Sequence, residues 1–153
     1  MYYLYIYYIG SVKDSSIKQL VQDISKRLKF VKIIELQLPK GVKHSTKQKL
    51  QVQEAEKELL LSKVFNRHEY VVVCTEKGEE YSTQNFYSYI KQLDKEIAFV
   101  ISGAYGPHKD VVEKASHTFS LSKLTFTHEI ALYLLLEQIY RAQCIELNID
   151  YTK

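Results

Sequence analysis

Strand-like and helix-like segments alternate along this chain, and no other feature of it restricts the possible folds as much. Tyr2, Leu4, Ile6 and Tyr8 interleave with Tyr3, Tyr5, Tyr7 and Ile9, an aromatic and β-branched run that predicts a strand buried on both faces and ended by Gly10. From Asp14 the apolar positions become Ile17, Leu20, Val21, Ile24 and Leu28, the three-and-four spacing of a helix capped by Asp14 or Ser15. Phe30 to Leu38 returns to strand composition and stops at Pro39-Lys40-Gly41. Thr46 to Val64 carries Leu50, Ala55, Leu59 and Leu60 among many charges, which predicts a long helix with one wet face. A Val-rich strand from Glu69 to Thr75, a turn at Lys77-Gly78, a helix from Thr83 to Leu93 and a strand from Ala98 to Ser102 follow. The last elements are a helix from Lys109 to Lys114, a short strand from Thr118 to Leu121 and a long helix capped by Thr127.

Such alternation implies an α/β fold with a mostly parallel sheet flanked by helices, because parallel neighbours need crossover connections. Ligands of these sheets sit beyond the carboxyl ends of the strands, so the loops after Thr75, Ser102 and Ser120 are the places to search. With 153 residues and neither repeat nor linker, the expectation is one domain over the whole length. The final helix is apolar on most sides, through Ile130, Ala131, Leu134, Leu135 and Tyr140, so a second subunit is expected to cover it.

Composition removes several functional classes. No apolar run reaches the ~20 residues that span a bilayer, and the first residues lack a secretory signal, so the cytoplasm is the expected compartment. The net charge of +3 is too small for diffuse polyanion binding, so a nucleic-acid partner has to meet a local cluster such as Lys40, Lys43, His44, Lys47 and Lys49, or an oligomer. Cys74 and Cys144 form no Cys-x-x-Cys pair and read as reduced, buried thiols, with no metal site expected.

Candidate chemistry concentrates in the last third. Ser102-Gly103-Ala104-Tyr105-Gly106-Pro107 lies between a buried strand and a helix, where glycines let backbone approach a ligand; a plain turn is the favoured explanation of this segment by itself, since the full dinucleotide fingerprint is missing. Glu137 and Arg141 stand four apart in the favourable order for an ion pair. In sequence, Phe99-Val100-Ile101-Ser102-Gly103-Ala104-Tyr105-Gly106, then Ser120-Leu121-Ser122-Lys123-Leu124-Thr125-Phe126-Thr127-His128, then Leu136-Glu137-Gln138-Ile139-Tyr140-Arg141-Ala142 closely resembles one family. It is similar to ribosomal RNA large subunit methyltransferase H, the pseudouridine N3-methyltransferases of the SPOUT superfamily.

The resemblance implies a carboxyl-terminal trefoil knot, which ordinary connection rules disfavour. It also implies S-adenosylmethionine as cofactor, a homodimer, and a pseudouridine of 23S rRNA on the assembled ribosome as substrate. Carried onto this chain, it places cofactor contacts at Cys74, Ser102 and Gly103, and at Leu121, Ser122, Lys123, Leu124, Thr125 and Phe126. It makes His128, Arg141, Tyr151 and Lys153 the catalytic candidates: Arg141 and Lys153 on substrate phosphate, Tyr151 orienting the base and His128 shaping the entrance. Each has a competing structural role, His128 as a helix-start hydrogen-bonding residue, Arg141 as the partner of Glu137 and Tyr151 as part of a frayed tail. The chain departs from the family pattern at Ser102, where glycine is usual, at Leu132, where arginine is usual, and in the tail Asp150-Tyr151-Thr152-Lys153, which lacks a proline and a histidine. Two alternatives follow: a ribosome- or RNA-binding relative with weakened or lost catalysis, and a flavodoxin-like nucleotide-binding module.

Overall fold

A computed structural model describes residues 3–42 and 48–151. Five strands, β1 (Leu4–Ile9), β2 (Val31–Leu36), β3 (Val71–Glu80), β4 (Ile97–Ile101) and β5 (His117–Ser120), form a sheet in the order β2-β1-β4-β3-β5, every neighbouring pair parallel. Five helices connect them: α1 (Ser15–Arg27), α2 (Lys49–Leu60), α3 (Thr83–Leu93), α4 (Lys109–Lys114) and α5 (His128–Glu146). The α/β reading therefore holds, and α3 and α4 have the bounds their sequence pattern predicts.

The period-two alternation of β1 decides how the layers assemble. Leu4 and Ile6 face one side and pack with Phe99 and Ile101 of β4, Ile24 of α1, Phe86 of α3 and Leu132, Leu135, Leu136 and Ile139 of α5. Tyr7 and Ile9 face the other side and pack with Ala98 and Val100, Leu60 of α2 and Val111 of α4. A layer of α1, α3 and α5 thus covers one face, while α2 and α4 cover the other. Helix starts follow local chemistry: the Asp14 carboxylate accepts from the Ser16 and Ile17 N–H groups, Ser82 accepts from Asn85 N–H, and the Thr127 hydroxyl accepts from Ile130 N–H. Beyond Leu60, α2 continues through a wider turn at Leu61–Phe65 that keeps Val64 buried.

The structure corrects two sequence expectations. Lys77-Gly78 is not a turn between elements: β3 runs on to Glu80, and Phe119 of β5 pairs with both Cys74 and Glu79, so the intervening residues bulge out of the ladder. Gly78 is required there by crowding, since a Cβ on it would stand 2.7 Å from the Phe119 backbone nitrogen and carbonyl carbon. Leu132, where the family resemblance puts an arginine, is fully buried, and a guanidinium there would be a desolvated charge. Cys144 is buried but Cys74 only half-buried, and both are free. The predicted helix start at Thr46, together with Lys43, His44 and Lys47 of the basic stretch, lies outside the described residues, as do Thr152 and Lys153.

Gly78→Ala is expected to destabilise the protein by about 2 kcal/mol or more, because the obstacle is backbone and cannot rotate aside. Urea denaturation of the variant against the parent checks this; unchanged stability would show that the bulge is loose.

Candidate functional site

All five strands point the same way, so the segments that follow β3, β4 and β5 emerge at one end of the sheet. There the bulge of β3 and the segments after β4 and β5 surround a cavity of about 90 Å³. Its floor is Ile101, Ser102 and Gly103 after β4, with Cys74, Thr75 and Glu76 from the bulge of β3. Its far wall is Leu121, Ser122, Leu124, Thr125 and Phe126 after β5, and His128 and Ala131 of α5 close it. The glycine loop and the Ser-Leu-Ser segment, separate along the chain, therefore share one cleft. Of the residues expected to contact a cofactor, Lys123 is the exception: its side chain is 87% exposed and reaches Glu80 at 3.8 Å.

Short polar side chains fix the far wall. The Ser120 hydroxyl donates to the Ser122 carbonyl at 2.8 Å, and the Ser122 hydroxyl accepts from Leu124 N–H at 3.1 Å. The apolar side chains of Leu121, Leu124 and Phe126 are thereby held on a defined backbone trace. Although Cys74 as a residue is half-buried, its sulfur is desolvated, which pushes the thiol up to about 12, so it stays neutral at physiological pH and is no nucleophile. His128 shares a hydrogen bond with the Ser11 carbonyl through Nε2 at 3.2 Å, and its ring lies against Gly10, whose φ of +92° needs glycine. Beside it, Glu129 accepts from the Lys13 and Asp14 N–H groups, so the amino end of α5 also fixes the turn after β1.

One buried acid belongs to this site although sequence reading passes over it. Glu56 of α2 is only 2% exposed, and its Oε1 accepts from Gly103 N–H at 2.7 Å. A Cβ on Gly103 would stand 2.9 Å from that same oxygen, so the missing side chain at Gly103 makes room for Glu56. The other oxygen, Oε2, has no hydrogen-bond partner among the described residues, and neither does the buried hydroxyl of Ser102. Burial raises the Glu56 carboxyl to about 7, with the Gly103 N–H pulling the other way. A signal for it does exist in the sequence: Val52, Glu56 and Leu60 are the buried positions of α2 at a strict spacing of four, and a lone carboxylate interrupts that apolar stripe.

Arg141 and Tyr151 are elsewhere. Arg141 pairs with Glu137, Nε to Oε1 at 2.9 Å, and its guanidinium lies 5.0 Å over the Tyr151 ring, which meets Tyr140 edge-on at 4.8 Å. At 1.5 Å per residue, Arg141 is roughly 20 Å along α5 from His128. Within one chain His128 reaches the cleft and the Arg141-Tyr151 cluster does not. Among the described residues there is no grouping of His, Cys, Asp or Glu able to hold a metal ion. A larger groove of about 520 Å³ between α3 and α5 is bordered by Tyr87, Lys91 and Glu146, whose polar groups already satisfy one another.

Because the Glu56 pKa is raised, the folded state holds a proton that the unfolded state releases. Stability is complete below the ordinary value of 4.5 and declines as pH climbs to about 7, by about 3 kcal/mol in all. Glu56→Gln removes this loss, so the stability gap between parent and variant should shift by about that amount over the same interval when followed by chemical denaturation. A gap independent of pH would mean that the carboxyl is not buried in solution.

Comparison with known proteins gives the chain its relatives. The family model described as "Predicted SPOUT methyltransferase" matches residues 3–152. Ribosomal RNA large subunit methyltransferase H 1 of Clostridium perfringens (strain SM101 / Type A) is 35% identical, covering 95% of this chain and 96% of its own. The protein named ribosomal RNA large subunit methyltransferase H in Clostridium acetobutylicum is 36% identical over the same shares. A methylase family protein of Haemophilus influenzae Rd KW20 has the same fold, with a TM-score of 0.61 at 9% identity, covering 98% of this chain and 70% of its own. A Legionella pneumophila structure in complex with the bound cofactor SAM superposes with a TM-score of 0.55 at 13% identity, covering 92% and 66%. On its sequence and its fold together, the chain belongs to the ribosomal RNA large subunit methyltransferase H family of SPOUT methyltransferases.

Proposed function

We propose that this protein transfers a methyl group from S-adenosylmethionine to N3 of a pseudouridine in 23S rRNA of the assembled ribosome, working in the cytoplasm as a homodimer. The observation that carries the reading is the meeting of the Ser102-Gly103 loop with the Leu121 to Phe126 segment in one cleft beyond the sheet. Family membership over nearly the whole chain supports the same activity.

The residues present suit such a cofactor. Its adenine asks for apolar contact and backbone hydrogen bonds, and Leu121, Leu124 and Phe126 beside the loop backbone offer both. The unpartnered Ser102 hydroxyl supplies a polar group still seeking a mate. When bound, the cofactor supplies an electrophilic methyl on a sulfonium, and the reaction is a direct displacement. The chain therefore has to hold two reactants in line and keep water out, and the serine-braced wall is suited to that. The imide N3–H must give up its proton as the N–C bond forms. Glu76 at the edge of the cleft and His128 at its closed side are the titratable groups at hand besides solvent.

Size and distance support the homodimer. Ligand clefts run to roughly 300–1,000 Å³, whereas the cavity of one chain encloses about 90 Å³. The Arg141-Tyr151 cluster is displaced from the cleft by most of the length of α5, so a second copy is what can bring such a cluster to the cleft mouth. Exposed Leu124 and Ile130 beside the cleft are apolar surface for it to cover. The trefoil knot belongs to the same proposal and rests on the family membership.

Purified protein, radiolabelled S-adenosylmethionine and ribosomes lacking the modification test the reading. Label is expected in 23S rRNA. Its absence there, with cofactor binding intact, would leave a ribosome-binding relative without catalysis.

A further inference from the structure

The loop that follows β4 is held from one side by a single helix. Glu56 accepts from Gly103 N–H at 2.7 Å, and Gln53, three residues earlier on α2, donates through Nε2 to the Tyr105 carbonyl at 3.2 Å. One turn of helix thus supplies an acceptor at the start of the loop and a donor at its middle. The next contacts extend the same face: Glu54 meets His108 Nε2 at 3.0 Å, and the Lys57 ammonium meets Asp110 at 3.5 Å. From Gly103 to Asp110 the loop and the first residues of α4 are therefore fastened to α2.

This arrangement has a cost that packing does not explain. A carboxyl is set in an apolar stripe between Val52 and Leu60, with one oxygen unpartnered, where leucine would fill similar volume. Its single hydrogen bond goes to the backbone of the residue that floors the cleft. Burying a carboxyl to hold one N–H is worthwhile only if the position of that N–H matters.

We infer that Glu56 is a positioning residue for the methyl donor: it sets the Gly103 backbone, and with Gln53 fixes the shape of the 102–106 loop against which the cofactor lies. The inference rests on the cleft being the S-adenosylmethionine site. Glu56 does not line the cavity, so it acts through the loop rather than by touching the ligand.

Calorimetry with S-adenosylmethionine on the full-length protein, paired with thermal melts and steady-state methyl transfer to unmodified ribosomes, tests it. Glu56→Leu fills the stripe and removes the acceptor; it should melt no lower than the parent yet bind the cofactor roughly 10- to 100-fold more weakly, the loss of one hydrogen bond from a charged or buried acceptor. The same loss should appear in KM for the cofactor more than in kcat. Glu56→Gln keeps an oxygen for Gly103 N–H and should recover most of the affinity. Should Glu56→Leu fail to fold, Gln53→Leu at its half-buried position carries the test, with a severalfold loss expected. Parent-like affinity in the leucine variant that folds overturns the inference, as does a glutamine variant as weak as leucine, since charge rather than the hydrogen bond would then be at work. A parent protein that binds no cofactor overturns the site reading itself and the inference with it.

Discussion

The parallel pairing of five strands is the constraint from which the rest of this molecule follows. A chain that must re-enter the sheet in the same direction each time has to leave from one end, cross a face and return. Every post-strand segment is thereby delivered to one end of the sheet, whatever its sequence. The cleft is a consequence of that delivery: the bulge of β3 and the residues after β4 and β5 meet there because their strands are neighbours, although Cys74 stands 28 positions before Ser102 and Ser102 stands 24 before Phe126.

Glycine and serine then give the cleft its shape for different reasons. Gly78 lets β3 bulge against the backbone of Phe119, Gly103 leaves room for a carboxylate from another helix, and Gly10 takes a left-handed turn beneath the His128 ring. The serines bond backbone within two residues, and the Ser120 hydroxyl also reaches the Glu76 carbonyl at 3.3 Å, which ties the wall after β5 to the bulge of β3. The outcome is a site in which few side chains have reactive chemistry, suited to a reaction that needs alignment more than acid, base or metal.

The longest helix connects the two halves of the proposed function without uniting them. Its first residues join the cleft and fix the turn after β1, while its last turns carry the Arg141, Glu137 and Tyr151 cluster. Its middle is committed to the core through Leu132, Leu135, Leu136 and Ile139. That commitment explains why leucine at position 132 is compatible with the fold where an arginine would have to be desolvated.

Sequence alone determined the period-two strands, the helix spacings, a cap at Asp14 or Ser15 and one at Thr127, and the candidate loops at Ser102-Gly103 and Ser120 to Phe126, because each is written in residues a few positions apart. The family likeness was equally legible, since its three motifs are contiguous. Tertiary structure alone decided that Lys77-Gly78 lies inside a strand, that Leu132 faces inward, that Lys123 turns away from the cleft, and that Arg141 lies far from His128. It also decided that Glu56 bonds to Gly103, a partner 47 positions away. The physical reason is the same in each case: periodicity tells a side chain which face of its own element it occupies, whereas its neighbour across that face depends on which element the crossover has brought there.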